Sequence, residues 1–197
     1  MNRRGQDRTG PLGGSGMVGL WGASSLITQV QYGTVSTAGS SGTATITSVD
    51  TTRSILINLG QTVNDASSPS PSEMYCRIIL TNSTTITITR GTGGNPGARV
   101  VGFVVVEFAP GVLRSVQAAV LTISSGSSTT ATISSVNTAK TVLLPLRTSS
   151  ATTSALTGVM MDVYLTLTNT TTITATMDVA GTGAWTPNTG VIAMEFF

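Results

Sequence analysis

An internal repeat is the feature that most constrains what this chain can fold into. The segment Leu80-Thr-Asn-Ser-Thr-Thr-Ile-Thr returns 87 positions later as Leu167-Thr-Asn-Thr-Thr-Thr-Ile-Thr. A second block, Thr45-Ile-Thr-Ser-Val-Asp, recurs at the same offset as Thr132-Ile-Ser-Ser-Val-Asn. Two blocks in one register indicate a tandem duplication. We therefore expect the second copy to repeat the fold of the first.

The repeat divides the chain into three parts. We predict an N-terminal arm over residues 1–25, a first β domain over 26–110 and a second β domain over 111–197. A domain of roughly 85 residues hides only about 60 to 65 per cent of its unfolded surface, so burial against a neighbouring copy would stabilise it. The connection Ala109-Pro-Gly-Val112 is too short for a free linker, which predicts a fixed relation between the two domains.

The residue pattern predicts an all-β fold. β-branched residues dominate, hydroxyl side chains recur at alternate positions, and no segment shows a helical period of 3.6. About six short strands per copy emerge, including strands over 43–49 and 130–136. Hairpins are expected at Asn82 and Asn169, because Asn is a common turn residue. The expected architecture is two tandem antiparallel β-sandwich or small-barrel domains.

The arm has a different composition from the rest of the chain. Residues 1–25 hold seven glycines and no sustained periodicity, which predicts an extended segment. Leu20 and Trp21 interrupt that pattern. They are candidates for an anchor that docks onto a neighbouring protein, although packing back onto the first domain is equally consistent with the sequence.

The charge content limits the classes of partner. Charged residues make up 9% of the chain, against roughly 25% in an average soluble domain, which disfavours a freely diffusing monomer. The net charge of +2 is a small imbalance with scattered arginines, so no nucleic-acid partner is predicted. No apolar run approaches the length of a membrane span, and no secretory signal is evident, so no membrane partner is predicted either.

The residues of common catalytic and metal sites are scarce. The chain has no histidine, which removes the commonest general base and metal ligand, and Cys76 is its only cysteine. Glu107 and Glu195 occupy matched positions in the two copies, and such a pair marks repeated structure more readily than a catalytic pair of carboxylates. We predict no catalytic, metal or cofactor site, and no enzymatic activity.

Exposed aromatics could instead form a sugar-binding platform. Trp185, in a loop rich in Gly and Pro, is the best placed of them. The alternative is an aromatic that caps the core of the second domain or contacts a neighbouring subunit. A carbohydrate-binding or host-adhesion module would use this loop and the loop over residues 60–72.

The duplicated blocks and the closing strands that carry Glu107-Phe108 and Glu195-Phe196 resemble small β-rich virion proteins of tailed bacteriophages. The resemblance covers nearly everything after residue 26. It implies a cofactor-free protein of the virion that assembles as a symmetric homo-oligomer, often a trimer, as in capsid decoration proteins, head fibres or tail-associated proteins. It also implies that the arm engages other virion proteins.

The interface residues that follow from this interpretation are apolar. They lie in the arm and in the closing strands, with core packing as the alternative for each phenylalanine: Leu20, Trp21, Phe103, Phe108, Phe196 and Phe197.

Overall fold

The computed structural model describes residues 25–64, 75–91, 97–124, 126–150, 163–181 and 186–197, with the backbone alone at 64, 126, 150 and 178–181. Residues 1–24 of the predicted arm lie outside this range. The strands in chain order are β1 (Ile27–Thr37), β2 (Ser41–Thr45), β3 (Ser54–Asn64), β4 (Cys76–Asn82), β5 (Thr85–Arg90), β6 (Ala98–Phe108), β7 (Leu113–Thr122), β8 (Gly126–Thr132), β9 (Thr141–Ser150), β10 (Tyr164–Asn169), β11 (Thr172–Gly181) and β12 (Pro187–Phe196).

The strands form four antiparallel sheets of three strands each. The first repeat holds the sheets β1-β6-β3 and β2-β5-β4, and the second holds β7-β12-β9 and β8-β11-β10. In each repeat the first strand lies beside the last and the second beside the fifth, which is the wrapping of a jelly-roll-like sandwich. The all-β prediction is confirmed, and of its two alternatives the structure has the sandwich and not the closed barrel.

The two repeats match in register as well as in strand order. Gln31 lies opposite Val105 in the first repeat, and Gln117 lies opposite Ala193 in the second. The Gln31 amide also donates to the Thr47 carbonyl and accepts from its N–H, both at 2.8 Å. Gln117 forms the same pair of bonds with Ser134, at 3.1 and 2.7 Å. The duplication is therefore structural, residue by residue, while the exact domain boundaries stay a prediction.

The turns form as the sequence predicts. Asn82 Oδ1 accepts from the N–H of Thr84 at 2.9 Å, and Asn169 Oδ1 accepts from the N–H of Thr171 at 2.8 Å. Both hairpins are thus closed by an Asn side chain that satisfies the turn backbone.

The second strand of each repeat is shorter than predicted. β2 ends at Thr45 and β8 ends at Thr132, where strands over 43–49 and 130–136 were expected. Beyond these residues the chain crosses to the other sheet, and only isolated backbone bonds such as Ile46 N–H to the Thr84 carbonyl remain. Ile46 and Ile133 are β-branched, which favours a strand. In the structure they lie just beyond the strand, in the segment that crosses to the other sheet.

The second repeat shares a core with the first. Leu146, Ile192 and Met194 are buried in the same cluster as Leu56 and Ile78 of the first repeat. A separate cluster fills the second sandwich. The central strand β12 of the sheet β7-β12-β9 is therefore buried on both faces. The matching strand β6 of the first repeat differs, because its outward residues are in part only half-buried.

A matched bulge bends the third strand of each repeat. The pairing slips between Asn58 and Gly60 in β3, and at the equivalent place in β9. Gly60 has a φ of 110° and its counterpart Arg147 has a φ of 63°. A positive φ is routine for glycine and costs a side-chain-bearing residue energy, so the two repeats keep one bulge with different residues.

In the part of the chain that the structure describes, no helix is long and apolar enough to cross a membrane.

Candidate assembly surface

A seam joins the two repeats where an outer sheet face of the second contacts the first. We call the face of a sheet that points away from its own sandwich the outer face. The outer face of β7-β12-β9 lies on the side of the first sandwich where the edge strands β3 and β4 run. Leu146 is 1% exposed and Ile192 is 3% exposed there. Burial of such side chains stabilises each by about 1.5 to 3 kcal/mol, so the seam holds the repeats together.

A glycine lets the two repeats approach closely in this seam. A Cβ added at Gly190 would lie 3.3 Å from Cγ and Cδ of Arg77, and 3.0 Å from Cβ of Leu146. The aliphatic stem of Arg77, on β4, thus occupies the space that a side chain at 190 would need. Burial lowers the pKa of Arg77. The arginine contributes packing by its stem as well as charge.

In the described part of the chain, much of the equivalent outer face of the first repeat is exposed. On the sheet β1-β6-β3, Leu59 is 55% exposed and Tyr32 is 76% exposed, with Val30 and Ile57 also exposed. Register matches Leu59 to Leu146, which is buried in the seam. Isolated exposed apolar residues are normal, whereas a contiguous apolar face marks an interaction site. We call this surface, Val30, Tyr32, Ile57 and Leu59 around Gly102, the apolar face.

A groove crosses the apolar face at Gly102. Gly102 is the counterpart of Gly190, and the only side-chain atom near a Cβ added there is Leu59 Cβ, at 3.5 Å. The groove has a volume of about 390 Å³ and is lined by Thr34, Leu59, Gly60, Gln61, Thr62, Val100 and Gly102. In the second repeat the stem of Arg77 fills the matching space. The first repeat therefore presents an open version of a contact that the molecule makes elsewhere.

Of the predicted interface residues that the structure describes, three lie in or against the shared core and one is exposed. Phe103 is 2% exposed and belongs to the core of the first sandwich, where its ring packs on Gly33 of the neighbouring strand. Phe103 therefore packs in the core of its own sandwich, which is the alternative stated above for each phenylalanine. Phe108 and Phe196 are half-buried against the shared core, whereas Phe197 is 65% exposed. Leu20, Trp21 and Trp185 lie outside the described residues.

Val30, Tyr32, Ile57 and Leu59 were not predicted from the sequence as interface residues. Val30 and Tyr32 lie two positions apart on β1, and Ile57 and Leu59 lie two positions apart on β3. This spacing places each pair on one face of its strand, and it can be seen in the sequence. The sequence does not show that this face is exposed in the first repeat and buried in the second. That difference in burial is visible only in the structure.

The matched glutamates fasten turns to the closing strands. The Arg53 guanidinium donates to Glu107 Oε1 at 3.0 Å from Nε and 2.7 Å from its NH2 group. In the second repeat the Asn137 N–H donates to Glu195 Oε1 at 2.9 Å, and Ser115 Oγ contacts Oε2 at 3.3 Å. Each carboxylate thus binds groups of its own repeat, as expected if the pair marks repeated structure. Glu107 and Glu195 are placed to hold the β-turn before the third strand.

Asp50 and Cys76 also have structural roles, one in a turn and one in the core. Asp50 Oδ1 accepts from the Thr52 N–H at 2.9 Å and its hydroxyl at 2.6 Å. These bonds, with the nearby Arg53, lower the pKa of Asp50. Cys76 is fully buried, and burial raises the pKa of its thiol despite the nearby Arg99 and Arg90. Among the described residues, His, Cys, Asp and Glu form no group of three that could hold a metal ion.

No family model matches this chain, and neither a curated protein nor a solved structure matched it. Strand order and register define it as an all-β protein of two β-sandwich-like repeats.

Proposed function

We propose that the protein is a structural component of a tailed-bacteriophage virion that assembles as a symmetric multimer, with a trimer favoured. The observation that carries the proposal is the apolar face. Leu59 is 55% exposed while its counterpart Leu146 is 1% exposed. A surface that the molecule covers in one repeat and leaves open in the other is suited to contact with another subunit.

The composition supports the same role. Charged residues are only 9% of the chain, so few charges keep an isolated copy soluble. The outer faces of the other two sheets carry threonine in facing positions, such as Thr43 opposite Thr87 and Thr130 opposite Thr174. These faces are polar without charge. Rigid sandwiches with one apolar face and one hydroxyl-rich face provide contact area and shape, the properties that a shell component needs.

The fold alone does not distinguish a virion component from a glycan-binding module. Jelly-roll-like sandwiches occur in viral capsid proteins and in lectins, so topology alone does not select between virion assembly and glycan binding. The resemblance of the duplicated blocks to phage virion proteins favours the first. On this proposal the protein is a decoration, head-fibre or tail-associated protein without cofactor or catalytic activity.

The arm has a separate role in this proposal. Residues 1–25 would engage another virion protein through Leu20 and Trp21, while the sandwiches supply the multimer. Removing residues 1–25 should therefore leave the multimer intact and abolish attachment to particles. Loss of the multimer on truncation would make the arm the assembly element instead.

The proposal is tested by locating the chain in particles. Phage particles whose genome encodes the chain are purified by density. Immunogold labelling with an antibody raised against the folded protein locates the chain, and quantitative mass spectrometry counts its copies. We expect a fixed copy number per particle and a regular label position. A chain found only in the soluble fraction would contradict the virion role. Retention of the isolated protein on a glycan array would point to the adhesion alternative.

A further inference from the structure

We propose that copies of this chain join head to tail, with the apolar face of one copy seated on the β9/β10 side of the next. The inference rests on the proposed multimeric function and names the surfaces that build the multimer. It extends to a second copy the contact that the two repeats already make within one chain. The occupant of the apolar face is therefore the protein itself.

In the seam, the receiving side is formed by the edge strands β3 and β4 of the first repeat. Where the outer face of β7-β12-β9 covers the edge strands β3 and β4, the core residues Leu56, Cys76 and Ile78 are all 0% exposed. These strands are the outermost of their sheets. The side of a sandwich between two edge strands is the place where its core is least protected. The second repeat closes that side of the first.

The second repeat has the same side, and its described core residues there are only partly covered. β9 and β10 are the matching edge strands. The counterparts of Leu56, Cys76 and Ile78 are Leu143, Val163 and Leu165, and all three are only half-buried. Within the described residues, the two repeats thus leave complementary surfaces exposed. The first has exposed apolar side chains on its outer face, and the second has half-buried core residues on its edge side.

A specific pair of groups fits this contact. Arg77 lies opposite Thr89 in its sheet, and Tyr164 lies opposite Thr176 at the matching position. Arg77 packs over Gly190 in the seam, whereas Tyr164 is 60% exposed. In a head-to-tail pair Tyr164 would enter the groove over Gly102 of the next copy. A tyrosine fills such a groove with a large, rigid ring and keeps its hydroxyl at the rim.

The chemistry of the apolar face suits a copy of the same chain. The side chains that define it, Val30, Tyr32, Ile57 and Leu59, carry no charge. Seating them therefore leaves no buried charge without a partner. The receiving strand β10 likewise reads Tyr-Leu-Thr-Leu-Thr-Asn, without charge. Such a contact uses different surfaces on each partner, so it propagates until a ring closes or continues as a filament.

The experiment compares three full-length variants by light scattering. Leu59→Glu places a charge on the apolar face, and Tyr164→Glu places one on the receiving side. Thr130→Glu is the control, because Thr130 is exposed on β8, at the opposite edge of its sheet from β10. Leu59 and Tyr164 are both more than half exposed, so each variant should fold, which circular dichroism checks. A charge buried without a partner should weaken association on the order of 100-fold.

Two outcomes are expected. Leu59→Glu and Tyr164→Glu are each monomeric, while the Thr130→Glu control keeps the mass of the wild-type multimer. An equimolar mixture of the two monomeric variants forms a dimer of twice the 20.1 kDa chain mass, because each contributes the one surface that the other lacks. A dimer that forms only on mixing is diagnostic of a head-to-tail contact.

The failures of the two proposals differ. A wild-type multimer that neither variant changes would overturn the head-to-tail contact and leave the multimeric function standing; this includes the case where residues 1–24 of the same copy cover the apolar face. A mixture that stays monomeric would also overturn it. A wild-type protein that is itself monomeric would remove the multimer and this contact together.

Discussion

The two repeats share strand order and register, but they differ in what covers their outer faces. Leu146 and Leu59 occupy one position of the bulged third strand, yet the first is 1% exposed and the second 55%. Leucine has the same intrinsic preference in both places. The environment therefore comes from the place of each repeat in the tandem. The difference between the repeats marks the surface on which apolar side chains such as Leu59 stay exposed in the described part of the chain.

The largest expected contrast is between Leu146→Ala and Leu59→Ala. Leu146→Ala leaves a cavity in the seam and should lower the free energy of unfolding by about 2 to 5 kcal/mol. Leu59→Ala removes exposed atoms and should lower it by less than about 1 kcal/mol. Urea unfolding of dilute protein measures both. Equal losses would show that the two faces have the same environment in solution.

A second contrast uses the matched glycines. A Cβ at Gly190 would meet Leu146 and Arg77 at 3.0 and 3.3 Å, so Gly190→Ala should cost about 1 to 3 kcal/mol through overpacking. At Gly102 the nearest side-chain atom is 3.5 Å away, and alanine restricts the unfolded chain. Gly102→Ala should be neutral or stabilise by up to about 1 kcal/mol. The difference in thermal midpoint between the two variants tests the close approach in the seam.

The matched bulge gives a smaller contrast. At a φ of 110°, Gly60→Ala should cost about 1 to 2 kcal/mol, because a side chain strains this backbone. Arg147 at a φ of 63° lies in the left-handed region that side chains adopt more readily. Arg147→Gly should therefore change the unfolding free energy by less than about 0.5 kcal/mol, since relief of strain and the greater entropy of the unfolded chain oppose each other. A large loss in Arg147→Gly would mean that its side chain, and not the bulge, carries the stability.

The smallest contrast is in acid. Hydrogen bonds from Thr52 lower the pKa of Asp50 below its ordinary value of 3.8. A depressed pKa in the folded state stabilises the fold above the unfolded value, and this stability disappears as the pH falls through the folded value. The counterpart Asn137 cannot titrate. Asp50→Asn should therefore flatten the stability profile below about pH 4, relative to wild type, with little change at neutral pH. Identical profiles would contradict this role for Asp50.

Much of the fold could be predicted from the repeat. Asn82 and Asn169 indicated their hairpins, because an Asn side chain satisfies the backbone of a turn locally. The crossings after Thr45 and Thr132 could not be predicted, since Ile46 and Ile133 have strand propensity and leave the ladder only to change sheets.

The candidate surface was harder to predict. Phe103 has the sequence signature of an interface residue and also of a core residue, and its neighbour across the ladder, Gly33, decides between them. Leu59 and Leu146 are leucines at matched positions of the repeat, so residue type does not distinguish them. Their difference arises from a contact between segments far apart in the chain, which periodicity does not encode.

The native mass of the full-length protein in solution, by light scattering over a range of concentrations, tests the central claim most directly. Burial of the apolar face against a second copy predicts a mass that is a defined multiple of 20.1 kDa, or a growing series of such multiples if the head-to-tail contact does not close. A mass of one chain at every concentration would contradict the account.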